Sequence, residues 1–578
     1  MRMGARMAGF EEALGTRGPV PIEGNWRRLA KMDDGFPLVW SGLANALYKS
    51  ASQISASARC HHDLGFVPQG EQPFMSAIGN LGELLQRGAA NAPAIRAPGR
   101  PALSHEGLRA LAAGTVATLN ARGIGRGDRV AIVLPNGPEM AAAFLCVAAG
   151  ASTAPLNPGY KGDEFTFYLD DLKPKAIIVQ QGDATPARPA AEALGIPVLE
   201  LIPGEEAGSF SLRGGVAAAA AKPGMGQADD EALVLHTSGT TARPKIVPLS
   251  QRNITASAQH IGAALELSAG DACLGIMPLF HIHGLIAAVL SSIAAGGAVC
   301  CTGGFDALKF FRLLDEERPS WYTAVPTMHQ TILSRAERNA EIIARAKLRF
   351  IRSSSASLPG PVMQAMEATF GCPLVESYGM TEAAHQMASN PLRGTRKPGA
   401  VGLPAGPEIR IMTDDGAFLP QGEAGEVVIR GPNVTAGYEG NPQANAKAFA
   451  HGWFRTGDQG VLDADGYLHL TGRLKELINR GGEKVSPLEV DGVLSAHPAV
   501  AQALSFAIPH GKLGEEVGAA VVLREGMEIS ERELRDFAAK YLADFKVPRK
   551  VVFLPEIPKG ATGKPTRIGL AGKLGISL

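Results

Sequence analysis

From about residue 77 to 410 the apolar positions fall into short runs separated by longer stretches with helical spacing. Arg129–Leu134 (RVAIVL), Lys175–Gln180 (KAIIVQ), Ala232–Leu235 (ALVL) and Pro373–Ser377 (PLVES) read as buried strands, since they lack the alternation of a half-exposed one. Between them lie helix-like stretches such as Ala77–Leu85 and Gln251–Leu265, the latter opened by Ser250 as an N-cap. This alternation predicts an α/β chain with parallel sheets flanked by helices. Between about 408 and 470 the texture changes to short β runs, EIRIM, EVVIRG and YLHLTG, separated by Asp-Gly and Gly-Glu turns. A small antiparallel barrel or sheet is expected there. A compact unit follows Arg473 and ends in Lys564. Residues 1–75 show no sustained periodicity and are expected to be an irregular extension, dispensable or outside the natural product, because Met75 can itself open a sensible helix. The apolar stretch Gly284–Cys301 contains Ser291, Ser292, Gly296 and Gly297, so it predicts a buried helix followed by a strand rather than a membrane span.

Composition narrows the class. A chain of 578 residues exceeds what one hydrophobic core serves, so more than one domain is expected. Lys+Arg and Asp+Glu both number 56, which leaves no global field to favour nucleic acid or an anionic membrane. Six cysteines (Cys60, Cys146, Cys273, Cys300, Cys301, Cys372) are scattered without CxxC spacing, so neither a zinc site nor a disulfide framework is indicated. The start, MRMGARMAGFEEALG, lacks the apolar core of a signal peptide. A cytoplasmic protein without stable membrane insertion is expected.

The richest stretch is Thr237–Pro248, TSGTTARPKIVP, where the hydroxyls of Thr237, Ser238, Thr240 and Thr241 crowd around Gly239 and Lys245. Placed between a strand and the helix after Ser250, such a turn is suited to holding polyphosphate. Its spacing approximates a Walker P-loop, but Pro244 replaces the second glycine and Ile246 stands where a magnesium-binding hydroxyl is needed. A second piece, ESYGMTE (Glu376–Glu382), puts Tyr378, Thr381 and Glu382 at the end of a strand, where α/β sheets bind ligands. A third, RTGD, offers the Asp458 carboxylate to ribose hydroxyls. A fourth, TGRLKELINRGGEKVSPLEVD (471–491), carries Gly481 and Gly482 before a helix opened by Ser486 and Pro487. The last, PKGATGKPTR (558–567), is a Gly-rich loop bearing Lys564.

All five pieces, in this order over about residues 80–567, resemble the adenylate-forming superfamily of acyl-CoA synthetases, luciferases and nonribosomal peptide adenylation domains. The resemblance implies an α/β fold with a large N-terminal domain, residues 76–474, of two parallel-type sheets flanked by helices plus a small β-barrel. A mobile small α+β C-terminal domain, residues 475–578, would complete it. It further implies ATP, Mg2+ and coenzyme A as cofactors and a small-molecule carboxylic acid as substrate. Thr237, Ser238, Gly239, Thr240, Thr241 and Lys245 would form the phosphate loop, with Thr240 and Glu382 toward the metal. Ser355, Ala356, Ser357, Glu376, Ser377, Tyr378 and Gly379 would line the adenine, and Asp458 and Arg473 the ribose. Thr381 would meet the α-phosphate. Lys475 would be the hinge, Lys564 the catalytic lysine, and Gly481 and Gly482 the border of the pantetheine tunnel.

The acid pocket implied by MPLFHIHGL, RSSSASL and AAHQMASNP is polar where a fatty-acyl pocket should be apolar. His281, Ser353, Ser354, His385 and Asn390 are the expected substrate contacts, with His281 also counted among the catalytic groups; His283 is a further candidate, and either His281 or His283 can equally be a packed core histidine. Together with TTARPK and INRGGEKVSP this set looks most like the oxalate–CoA ligase type. Medium- or long-chain or aromatic acids, and an acyl-AMP ligase loading a separate carrier protein, are the competing expectations.

Overall fold

In the computed structural model the described residues are 78–237, 244–558 and 565–577, and all lie in one compact unit spanning Ser76–Leu578. The 1–75 extension, the loop residues Ser238, Gly239, Thr240 and Thr241, and Lys564 lie outside the described residues. Two large sheets form as the runs of apolar residues require. In a seven-stranded sheet, Val198–Pro203, Ala176–Gln180, Arg129–Val133, Ser152–Pro155 and Glu231–Thr237 lie parallel, and each edge adds an antiparallel strand. In a nine-stranded sheet, Pro93–Arg96, Ala298–Cys301, Ala272–Gly275, Trp321–Ala324, Phe350–Ser353 and Leu374–Met380 run parallel. His385–Ser389 then returns antiparallel to the last of them. The core between the two sheets includes the helix Pro138–Ala148, each residue of which except Glu139 is buried or nearly so. The stretch from Gly284 is helical and buried before the strand Ala298–Cys301. Among the described residues no helix is long and apolar enough to cross a membrane.

One local expectation is corrected. KIVPLS does not lead straight into a helix: Lys245–Ser250 is an edge strand paired antiparallel with Glu231–Thr237, and the helix Gln251–Ala264 starts only after Ser250 caps it. The phosphate-type loop therefore joins two strands, with Thr237 opposite Lys245 in register. Pro248 is tolerated because this strand is at the sheet edge, where a missing N–H costs least.

The β runs between 408 and 473 make a five-stranded antiparallel sheet of Glu408–Met412, Gly425–Arg430, Trp453–Leu462, Phe449–Ala450 and Leu468–Arg473. Of the two forms expected, barrel or sheet, the pairing is that of an open sheet. The last part of the chain is α+β: Val500–His510 and Gly514–Leu523 form a long hairpin, and the helices Pro487–Ser495 and Glu531–Ala538 cover it through Val490, Leu494 and Leu534. Ser486 caps the first of these helices by accepting from the Glu489 N–H at 3.2 Å, with Pro487 in the first turn. Gly481 and Gly482 form the two-residue turn between Ile478–Arg480 and Glu483–Val485, with φ of 61° and 98°. Two consecutive left-handed residues are what a tight hairpin of this twist demands, which accounts for the double glycine.

Candidate active site

Several of the expected nucleotide residues that are described lie near the carboxyl end of Leu374–Met380. Tyr378 is still on its strand rather than on the following loop, while Thr381 and Glu382 occupy a single turn of tight helix, Thr381–Ala383. The Tyr378 hydroxyl donates to Asp458, whose strand pairs Asp458 with Arg473, and the Arg473 guanidinium approaches the same carboxylate at 3.4 Å. Burial pushes the Asp458 carboxyl up, and Arg473 and Tyr378 pull it back. An anion held by one cation and one phenol retains lone pairs for two vicinal hydroxyls.

Glu382 is buried at 6% exposure and accepts from the Tyr438 hydroxyl at 2.9 Å. The Lys245 ammonium stands 4.0 Å above the same Tyr438 ring. Tyr438 thus ties the lysine of the phosphate loop to the carboxylate of the second motif. Desolvation raises the Glu382 carboxyl, while its own backbone N–H, Tyr438, Lys245 and Arg473 oppose the shift. Desolvation lowers Lys245, which Glu382 opposes and Lys475 reinforces, so these three charges share one field. Just past Arg473 the chain turns, with Leu477 N–H donating to Arg473 O at 3.0 Å. Arg567, close after the Lys564 loop, ion-pairs with Glu476 of that turn at 3.3 Å and with Asp491 at 2.7 Å. Arg567 is thereby tied to the residue that follows Lys475.

At the acid end, Ser354 donates to the carbonyl of Ser377 at 2.8 Å, which fastens two adjacent strands. Glu376 is buried, accepts the Leu358 N–H at 3.0 Å and is pushed up to about 8 by desolvation, so it is a largely protonated wall group at neutral pH. Ser377 contacts Ser389 at 3.1 Å, and Ala356 and Ser357 lie exposed on the loop above. Ser355 reaches His283 Nδ1 at 3.0 Å, and the His283 and His385 rings face each other at 4.9 Å. Ser355, Ala384 and His385 have left-handed backbones, with φ of 72°, 46° and 98°. Such strained non-glycine residues gather at sites where side chains must be aimed. Gly379 permits the close return of the chain: a Cβ there would sit 1.8 Å from the His385 carbonyl oxygen.

Not every expected contact faces this pocket. Asn390 is fully buried and spends its amide on the Ala400 carbonyl at 2.6 Å and the Lys397 N–H at 3.2 Å, so its work is to hold the loop. Ser353 is fully buried on the strand, and half-buried His281 packs against Phe280 at 4.5 Å, whereas His283 meets Ser355.

A family model for AMP-binding enzymes matches residues 85–439, and one for the AMP-binding enzyme C-terminal domain matches residues 489–564. The chain belongs to the AMP-binding enzymes. It is 48% identical to a probable CoA ligase of Humulus lupulus, over 82% of this chain and 92% of that protein. An oxalate–CoA ligase of Arabidopsis thaliana is 46% identical, over 77% of this chain and 88% of its own. Among solved structures it is similar to ATP-bound MatB from Rhodopseudomonas palustris, with a TM-score of 0.77 and 30% identity over 86% of this chain and 98% of that one. This AMP-binding enzyme is an acid–CoA ligase that uses ATP and CoA.

Sequence reasoning missed two residues of its site. Tyr438 lies far along the chain from both Lys245 and Glu382, in a segment without any motif. Arg352 opens the run RSSSASL, and its signal is a charge directly after Phe350 and Ile351 in a central strand. For this AMP-binding enzyme, Tyr438→Phe keeps the ring beneath Lys245 but removes the bond to Glu382. We expect kcat/KM for ATP to fall roughly 10-fold, the scale of one buried charge-assisted hydrogen bond. The phenol lowers the Glu382 pKa, so its loss raises that pKa further. If the carboxylate is the working form, activity is lost as pH falls through this pKa, and the acid limb of the rate profile moves to higher pH. An unchanged limb would place Glu382 outside the titrating machinery.

Proposed function

We propose that this enzyme adenylates oxalate and passes the oxalyl group to CoA, with AMP and pyrophosphate as the other products. The observation that carries the choice of acid is the polar cluster at the carboxyl end of the strand Phe350–Ser353, where His283 and His385 meet the guanidinium of Arg352 and Ser355 meets His283. A chain of methylenes has no use for such a lining, whereas a second carboxylate left without partners would cost several kcal/mol to bury. The oxalate–CoA ligases of Arabidopsis thaliana and Saccharomyces cerevisiae, 46% and 42% identical, support the same reading.

In the first half-reaction one carboxylate oxygen attacks the α-phosphorus of ATP and pyrophosphate departs in line. Both reactants are anions, so the site must supply positive charge. Lys245, with Thr237 and the loop Ser238–Thr241, would grip the departing phosphates, and Thr381 would donate to the α-phosphate. Asp458 and Arg473 would hold the ribose, with Tyr378 covering the purine. Glu382 fits a role beside Mg2+: one of its oxygens is engaged by Tyr438, and among the described residues no cluster of three or more His, Cys, Asp or Glu could hold an ion unaided. A single carboxylate with phosphate oxygens completing the shell is the usual arrangement for this ion, which when bound neutralises charge on the phosphates. Lys564 would supply the remaining charge to the attacking acid.

In the second half-reaction the CoA thiolate attacks the acyl carbonyl and AMP leaves. Lys564 would then obstruct the thiol, so residues 475–578 would rotate about Lys475 and bring the exposed turn Gly481–Gly482 to the tunnel. A panel of acids assayed by pyrophosphate release and by mass of the CoA thioester tests the substrate. Oxalate is expected to lead. Turnover of long-chain or aromatic acids without oxalate would overturn the choice of acid and leave the ligase class standing.

A further inference from the structure

Arg352 is fully buried, on a central strand and on the face it shares with Trp321 and Phe350, which stack at 5.3 Å within the main apolar core. Its hydrogen-bond partners are His283 Nε2 at 3.5 Å, the Thr323 hydroxyl at 3.4 Å, His385 Nε2 at 3.4 Å and Gln386 Oε1 at 3.2 Å. Among the described residues no Asp or Glu forms an ion pair with it, and its Nε has no hydrogen-bond partner. The nearby Cys273 thiol is pushed far up by desolvation and stays protonated. Burial pushes the guanidinium itself down to about 9, which still leaves it charged at neutral pH. A buried charge without a counter-charge costs several kcal/mol and is retained where something repays it.

A guanidinium only donates, so the two imidazole nitrogens that face it must accept. The Thr323 hydroxyl, which accepts from Arg352, lies 2.6 Å from His283 Nε2; with its proton turned to that nitrogen, Nε2 accepts and the ring proton sits on Nδ1, where Ser355 Oγ stands at 3.0 Å. The O–H of half-buried Ser355 is then not needed by His283 and is left to donate to an acid. His385, seated opposite His283, presents its Nε2 to the same guanidinium.

We propose that Arg352 is the specificity-determining counter-charge for the carboxylate of the acid that is not adenylated, acting as a positioning residue through His283, Ser355 and His385. It does not touch the acid. It sets which ring nitrogens donate, and it places a positive charge behind a neutral polar lining so that a dianion is preferred to a monoanion of the same shape. This rests on the reading of the substrate as oxalate.

Oxalate and oxamate test it, because the amide of oxamate replaces the second carboxylate at nearly constant size. The intact enzyme is expected to prefer oxalate by roughly 100-fold in kcat/KM, the scale of charge-assisted hydrogen bonds. In Arg352→Met the preference should fall below about 10-fold, chiefly through KM for oxalate, while KM for ATP moves less than about 3-fold. Arg352→Lys keeps the charge without the fork and should fall between, and it carries the comparison should the Met variant fail to fold. A merely structural role would lower both acids alike and leave their ratio intact, which would overturn the proposal. If the parent enzyme does not turn over oxalate at all, the substrate reading falls instead, and the two failures are told apart by the parent's activity.

Discussion

Replacing Glu382 with alanine is expected to slow oxalate-dependent pyrophosphate release roughly 10²–10³-fold, the range seen when one preorganised electrostatic group is removed from a dry site. The carboxylate is 6% exposed, is held by Tyr438 and shares its field with Lys245. Glu382→Gln retains the shape and the acceptor for Tyr438 but not the charge. It should lose nearly as much as alanine, with a melting temperature close to the parent's. A Gln variant with near-parental rates would mean that Glu382 serves packing and that the cation is held elsewhere.

The second large effect is directional. Lys564→Ala is expected to cut adenylation by roughly 10²–10³-fold, since it removes charge offered to two approaching anions. Thioester formation from a supplied oxalyl-adenylate should stay within a few-fold of the parent, because that half-reaction requires the lysine to withdraw. Single-turnover assays of each half-reaction separate the two. Equal loss in both would mean that Lys564 stabilises the fold or one shared pose, and the two-pose account would fail.

Much of this site was legible because motif chemistry is local. Ser250 before Gln251 and Ser486 with Pro487 marked helix starts that the structure places at those residues, because an N-cap acts within three residues of itself. Four strands of the two large sheets, Arg129–Val133, Ala176–Gln180, Glu231–Thr237 and Leu374–Met380, followed from apolar runs that only a doubly covered sheet can bury. KIVPLS was harder: it read as the link from a strand to the helix after Ser250, and only the sheet order shows it as an edge strand, where its proline is tolerated. Asn390 sat in the right motif, yet a buried amide must satisfy its own hydrogen bonds first, and Ala400 and Lys397 provided them. Tyr438 was illegible for a different reason. Its bond to Glu382 and its contact with Lys245 exist only once separate sheets have packed, and no local pattern encodes that. Arg352 lay between these cases: the sequence displayed the charge, but only the structure revealed that it is buried and that no Asp or Glu among the described residues pairs with it.

The pocket and the nucleotide site together amount to one claim, that oxalate is activated through its adenylate. Oxalate labelled with heavy oxygen, incubated with the enzyme, ATP and CoA, tests that claim most directly by mass spectrometry of all products. The attacking carboxylate oxygen becomes the bridge to phosphorus and stays with AMP when the thiolate takes the acyl group. The account predicts oxalyl-CoA together with AMP carrying one labelled oxygen and unlabelled pyrophosphate. Absence of oxalyl-CoA while another acid yields its thioester, or label recovered in pyrophosphate, would contradict it.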